Sequence, residues 1–227
     1  TLQWNGDLEA AQKVTGPWAA IQASSPLAFS PSDPARYYRG VQTDGGDQVA
    51  LTPIFIDDLE SGAEGWTHKA IGEDMEDPWE LGTPSSEDYG PVAAASGQNV
   101  WGTVLGGNYP DDSNASLRTP PIDLIGVEAA TLVYTEFRDV EAPDPDWGDL
   151  DVLQINILSA SNPDGEPLAE ELRSKAGSLL GWVSRRVKLP EEVLGKKIII
   201  EFRFIADELN EYDQGGWYID DVVVLPE

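Results

Sequence analysis

Gly215-Gly216-Trp217-Tyr218-Ile219-Asp220-Asp221-Val222-Val223-Val224 is the stretch from which the chain is read. Two glycines followed by aromatic and β-branched residues spell a β-strand. Two adjacent carboxylates sit in its middle. Successive strand residues face opposite sides, so one of Asp220 and Asp221 turns inward. A buried carboxylate needs a cation, an array of donors or a captured proton. The expectation is a strand that closes a β-sandwich and carries an acid that helps to hold a structural metal. Alternation with Ile219 buried points Asp221 inward.

The rest of the chain supports an all-β reading. Going outward from residue 215, strand candidates are Lys196 to Ala206, Leu180 to Leu189, Leu150 to Leu158, Ala130 to Arg138, Asn99 to Leu105, Trp79 to Gly82 and Val49 to Ile56. Pro, Gly, Asn and Asp separate them, the pattern of an antiparallel sandwich or barrel. In Lys196 to Ala206 the residues Ile198, Ile200, Phe202 and Phe204 share one face, which should be core. In Leu180 to Leu189 the residues Val183, Val187 and Leu189 share a face, leaving Trp182 with Ser184, Arg186 and Lys188 on an exposed one. Pro167 to Lys175, with Leu168 and Leu172 at i,i+4, reads as a short surface helix, and Pro190 to Leu194 as another. Residues 1–46 form a small β unit with short strands at Thr1 to Trp4, Pro17 to Gln22 and Arg36 to Gln42. Leu8 to Val14 reads there as a short helix or an irregular strand. The linker falls at Asp44-Gly45-Gly46-Asp47, and residues 47–227 form the main domain.

Composition narrows the function. There are 41 acids against 14 bases in 227 residues, a net charge of -27. Such a surface repels nucleic acid and anionic lipid, and suits divalent cations or simple solubility. No run is apolar enough to insert into a membrane. With no Cys, disulfides and thiolate metal sites are excluded. Thr1-Leu2-Gln3-Trp4 reads as mid-chain sequence, so a piece of a longer polypeptide is expected.

An ordered series of motifs carries a resemblance. Asp57-Asp58-Leu59-Glu60-Ser61-Gly62 is followed by Gly65-Trp66-Thr67-His68, Trp79-Glu80-Leu81-Gly82, Gly97-Gln98-Asn99-Val100-Trp101-Gly102-Thr103, Leu117-Arg118-Thr119-Pro120-Pro121-Ile122-Asp123-Leu124, Phe202-Arg203-Phe204-Ile205-Ala206-Asp207 and Gly216-Trp217-Tyr218-Ile219-Asp220-Asp221-Val222. In that order they resemble the MAM-like jelly-roll modules of secreted bacterial proteins, such as those found with immune-inhibitor-A-like metalloproteases. The resemblance spans roughly residues 50–225. It implies a non-catalytic, concanavalin-like β-sandwich, extracellular or at the cell surface and often Ca²⁺-stabilised. The acidic insertion Asp139 to Asp151 departs from it.

The metal expectation rests on Asp58 and Glu60, two apart on a predicted strand and so on one face. If the first and last strands lie together, these acids meet Asp220 or Asp221, with Asp207 nearby, in an oxygen cage suited to Ca²⁺. The arrangement resembles the structural Ca²⁺ site of jelly-roll carbohydrate-binding modules, a comparison that favours Asp220. The alternative is that the acids cap turns or pair with Arg203 or Arg118. The run Asp139, Glu141, Asp144, Asp146, Asp149 and Asp151 does not fit an EF-hand loop and reads as a solvated loop.

Catalysis has little to stand on. His68 is the only histidine, and no nucleophile motif accompanies it. Paired carboxylates could hydrolyse glycosides, but with 41 acids their spacing decides nothing. The chain reads as an accessory binding module for polysaccharide, with Trp147 and Trp182 as stacking platforms. The alternative is a structural or adhesive module that contacts neighbouring domains or other cell-surface proteins.

Overall fold

The computed structural model describes residues 7–11, 19–21, 37–41, 52–85, 89–142, 146, 151–175, 177–207 and 214–227. The chain divides into two compact units, Thr1–Thr52 and Pro53–Glu227. The expected linker at residues 44–47 and the strand at residues 1–4 lie outside the described residues.

The first unit is a three-stranded antiparallel sheet built from β1 (Asp7–Ala11), β2 (Ala19–Ile21) and β3 (Tyr37–Val41), with β1 in the centre. β1 resolves the choice left open at Leu8 to Val14 in favour of a strand, since Leu8 pairs with both Ile21 and Gly40.

The second unit contains β4 (Phe55–Asp57), β5 (Thr67–Ala70), β6 (Trp79–Gly82), β7 (Val100–Thr103), β8 (Asn114–Arg118), β9 (Ile122–Asp123), β10 (Ala130–Asp139), β11 (Val152–Ser159), β12 (Ala169–Lys175), β13 (Leu179–Lys188), β14 (Lys197–Ile205) and β15 (Gly216–Pro226). A turn of 3₁₀-helix at Glu191–Val193 lies within the span read as helical at Pro190 to Leu194. The strands make two six-stranded antiparallel sheets. Sheet I runs β13-β10-β15-β7-β6, with β4 also on β15; sheet II runs β12-β11-β14-β8-β5, with β9 also on β14. From β7 onward the chain passes repeatedly between the sheets, so its hydrophobic faces close over one shared core.

That core follows the alternation. Ile198, Ile200, Phe202 and Phe204 of β14 meet Leu153, Ile155 and Ile157 of β11 and Leu132 and Tyr134 of β10. Phe202 stacks on Trp66 at 6.4 Å and meets Trp217 edge-on at 5.7 Å. Trp66, Trp101 and Trp217 are packing residues.

β15 breaks its own period. Trp217 and Ile219 enter the core, but so do Val222 and Val224. The switch from odd to even positions needs one extra residue. It is visible in the pairing with β10, where Val133 faces Val223 and Thr135 faces Asp220. Asp221 is the bulged residue, at φ +51, a left-handed conformation that Asp tolerates better than β-branched residues. Asp220 therefore shares the outer face of sheet I with Tyr218. Neither acid projects into the inter-sheet core, and both are buried on the outer side.

Two expectations need correction. The strand read through Asp58 and Glu60 ends at Asp57. Leu59, at φ +62, turns into the core while the Asp57 carboxylate accepts its amide at 2.8 Å. The helix read at Pro167 to Lys175 is the strand β12. Leu168 and Leu172 both pack on the core, but residues four apart share a face in a strand as well as in a helix, so that spacing did not discriminate.

Candidate functional site

Two places gather the chemistry. The first is an acidic clasp where β4 lies antiparallel to β15, Asp57 opposite Val222. Asp57 itself is structural: its second oxygen accepts the Trp66 indole N–H at 2.8 Å. Asp58 accepts the Glu60 amide at 3.3 Å. Glu60 Oε1 accepts the amides of Gln98 and Asn99, each at 2.8 Å. Gly97 makes this approach possible, since a Cβ there would lie 2.3 Å from the Glu60 carboxyl carbon. Asp220 Oδ2 accepts the Ser96 amide at 3.0 Å and its Oδ1 the Asp221 amide at 2.7 Å, while Asp221 Oδ1 accepts the Ser96 hydroxyl at 2.9 Å. Glu60, from the turn after β4, and Asp220 and Asp221, from β15, thus converge on residues 95–99.

Electrostatically the clasp is one-sided. Burial pushes the Asp220 carboxyl up to about 7, against the opposing pull of the Ser96, Asp221 and Ala95 amides, and the Glu60 charge adds to the rise. Among the described residues Glu60 and Asp220 meet backbone amides and no Lys or Arg. Carboxylate oxygens gathered in this way are the donor type that a hard divalent cation such as Ca²⁺ accepts.

Asp207 belongs elsewhere. Its amide donates to Asp151 Oδ1 at 3.2 Å, and one carboxylate oxygen each from Glu141, Asp151 and Asp207 lies within 4.8 Å of the others. Part of the acidic insertion is therefore folded back, with Asp151 2% exposed and hydrogen-bonded to the buried Tyr109 hydroxyl. Burial, more than any other factor, raises the pKa of both groups.

Of the expected aromatic platforms, Trp147 lies outside the described residues. Trp182, read as exposed, is half-buried. It meets Phe137 edge-on at 5.9 Å and donates its indole N–H to the Ala93 carbonyl at 2.9 Å. Its ring clamps the segment that supplies Ala95 and Ser96 to the clasp. His68 sits against Trp101 at 5.3 Å with its Nδ1 2.8 Å from Asp77.

The second place is a groove of about 450 Å³ on the outer face of sheet II. Its floor is the face of β14 opposite the core, with Glu201, Arg203 and Ile205, flanked by Gln154 and Asn156 of β11, Arg118 of β8 and Lys69 of β5. Glu201, 3% exposed, organises it. The carboxylate accepts the Ser116 hydroxyl and the Asn156 amide N–H at 2.9 Å, with Arg118 Nε at 3.6 Å and Arg203 Nη1 at 3.7 Å. Arg203 Nε donates to Asn114 Oδ1 at 2.6 Å. Gln154 Nε2 donates to Glu171 at 3.1 Å. At one wall Asp164 receives Arg118 Nη1 at 2.8 Å and Lys69 Nζ at 2.5 Å. Among the described residues, no aromatic ring lines this groove. The alternation of β14 placed Glu201 and Arg203 opposite the core, but β5 and β8 were not read as strands, so Lys69 and Arg118 could not be placed beside them. Arg118 and Arg203 pair with Glu201 and Asp164, and Glu60 and Asp220 have neither as a partner.

No family model matches the chain. Several solved structures align over most of it at low identity. The K3 cleaved adhesin domain of Lys-gingipain from Porphyromonas gingivalis is 19% identical, with 77% of this chain and 99% of that one covered and a TM-score of 0.48. The CBM22-1 xylan-binding domain of Paenibacillus barcinonensis Xyn10C is 12% identical, with 78% and 97% covered and a TM-score of 0.44. In sequence the chain is similar to Bacillopeptidase F of Bacillus subtilis, with 31% identity over 175 residues. The match takes in 77% of this chain and 11% of that much longer protein.

Proposed function

We propose that the Pro53–Glu227 sandwich is a non-catalytic binding module for carbohydrate, stabilised by Ca²⁺ and carried by a larger exported protein. The observation that supports the reading most is the groove on sheet II. Donors and acceptors from three strands, β8, β11 and β14, are fixed in it by a shared network around Glu201, and sugar recognition needs such convergent polar groups in a preformed concavity. Its cations are matched by acids on the spot, so a neutral polyhydroxyl ligand meets no uncompensated charge. Without an aromatic ring to stack on, binding would rest on hydrogen bonds and be modest in strength. The acidic clasp is the Ca²⁺ site of this reading, with Glu60, Asp220 and Asp221 as ligands and Asp58 beside them. The ion would bridge the acids and fix residues 95–99. The similarity to a short part of Bacillopeptidase F supports a module within a longer chain, and an extracellular or cell-surface setting goes with it. A glycan array probed with and without Ca²⁺ tests the reading. Binding of one oligosaccharide class is expected, weakened by chelation; a blank array in Ca²⁺ would refute it.

A second reading, a structural or adhesive module for contacts with other domains or surface proteins, draws support from Trp182. Its ring is occupied by Phe137 and Ala93 and offers no open platform.

A further inference from the structure

Asp164 is out of character with the rest of the groove. Its side chain is 64% exposed on the turn after β11, and it bonds both Lys69 of β5 and Arg118 of β8. The two cations pull its carboxyl down to about 2. Exposed ion pairs of this kind contribute little, since solvent screens them and two flexible side chains must be held. Arg118, by contrast, does not depend on Asp164. Its side chain is 11% exposed, and its Nε is held by the Ser116 hydroxyl at 2.9 Å beside Glu201. If the Asp164 turn moved away, the guanidinium would stay in place with Lys69 beside it.

We infer that Asp164 is an internal stand-in for a carboxylate of the ligand, and that the groove takes a neutral glycan bearing an isolated uronic acid. The inference rests on the carbohydrate reading of the same groove. A ligand carboxylate oxygen would accept Arg118 Nη1 and Lys69 Nζ together, as Asp164 Oδ1 does. The other groove acids set the limit on charge. Glu170 and Glu171 line the same cavity with Glu201, so a polyuronate would meet repulsion along its length, whereas a single uronate would meet only the cationic end. Displacing Asp164 is an exchange of one carboxylate for another, and its cost is the local concentration of the tethered side chain.

The test uses a glycan array of matched pairs, each a neutral oligosaccharide and the same oligosaccharide carrying one glucuronic acid. The readout is the ratio of uronate to neutral affinity within a pair. Asp164→Asn keeps the size and removes the competing charge, and should raise the ratio about two- to fivefold. Lys69→Met, at an exposed position, should lower it below that of the unaltered protein. A ratio unchanged by Asp164→Asn, with neutral sugars bound, overturns this inference and leaves the carbohydrate reading standing. If no member of any pair binds, both fall.

Discussion

Asp221 adopts the left-handed conformation in the middle of the longest strand, and the packing of that strand depends on it. The extra residue lets Trp217 and Ile219 face the core on one side of the bulge and Val222 and Val224 on the other. Five residues earlier, Gly216 stands at φ +97 with Thr103 Oγ1 2.0 Å from where a Cβ would be. Gly216→Ala should therefore lower stability by roughly 3 kcal/mol in urea unfolding, from backbone strain and overpacking together. Asp220 sets a pH dependence. Its carboxyl is raised to about 7 in the fold, from 3.8, so between these values the folded state binds more protons than the unfolded one. Stability carried by this group falls as pH rises through that window. In chelator, the melting temperature should drop from pH 5 to pH 7.5, and Asp220→Asn should flatten the drop. An equal slope in the variant would assign it to other groups.

At the scale of elements, β10 joins β13 to β15 in sheet I. Its Glu136, 1% exposed, accepts Arg173 of β12 at 2.6 Å, Arg185 of β13 at 2.7 Å and the Trp217 indole of β15 at 3.2 Å. Removing a buried anion leaves two guanidinium groups without it, so Glu136→Gln should cost about 3 kcal/mol in denaturant unfolding. Trp182 ties β13 to the segment over the outer face. Trp182→Ala should cost roughly 2 kcal/mol and weaken the response of the melting temperature to Ca²⁺, since Ser96 lies three residues beyond Ala93. The long strands were legible because strong alternation and β-branched content mark β10, β11, β13, β14 and β15. Thr67–Ala70, Asn114–Arg118 and Ile122–Asp123 were not, being short and poor in large apolar residues. Those omissions hid the groove, to which β5 and β8 contribute Lys69 and Arg118. The clasp was legible only in part: the meeting of β4 and β15 was the condition the reading set and the pairing fulfils it, whereas the bulge at Asp221 and the departure of Asp207 to Glu141 and Asp151 depend on contacts over 50 residues apart.

Across the second unit, charge and shape separate the two sites. The chain has 14 bases against 41 acids, yet Lys69, Arg118 and Arg203 all line one groove. The cations are matched there by Glu201 and Asp164, whereas among the described residues Glu60 and Asp220 in the clasp meet backbone amides and no Lys or Arg. One site thus suits a polar ligand of little charge and the other a cation. Removing Ca²⁺ by exhaustive dialysis against chelator should lower the melting temperature by several degrees and its return should restore it; an unchanged melting curve would remove the ion from the account. The central claim is that the face of sheet II is the ligand site, and titration calorimetry tests it most directly. The probe is the oligosaccharide bound most tightly on the array, titrated into the unaltered protein and a Gln154→Ala, Lys69→Met double variant whose melting temperature matches. At least tenfold weaker binding by the variant, about 1.4 kcal/mol, is the expected result; equal affinity in the two proteins would contradict it.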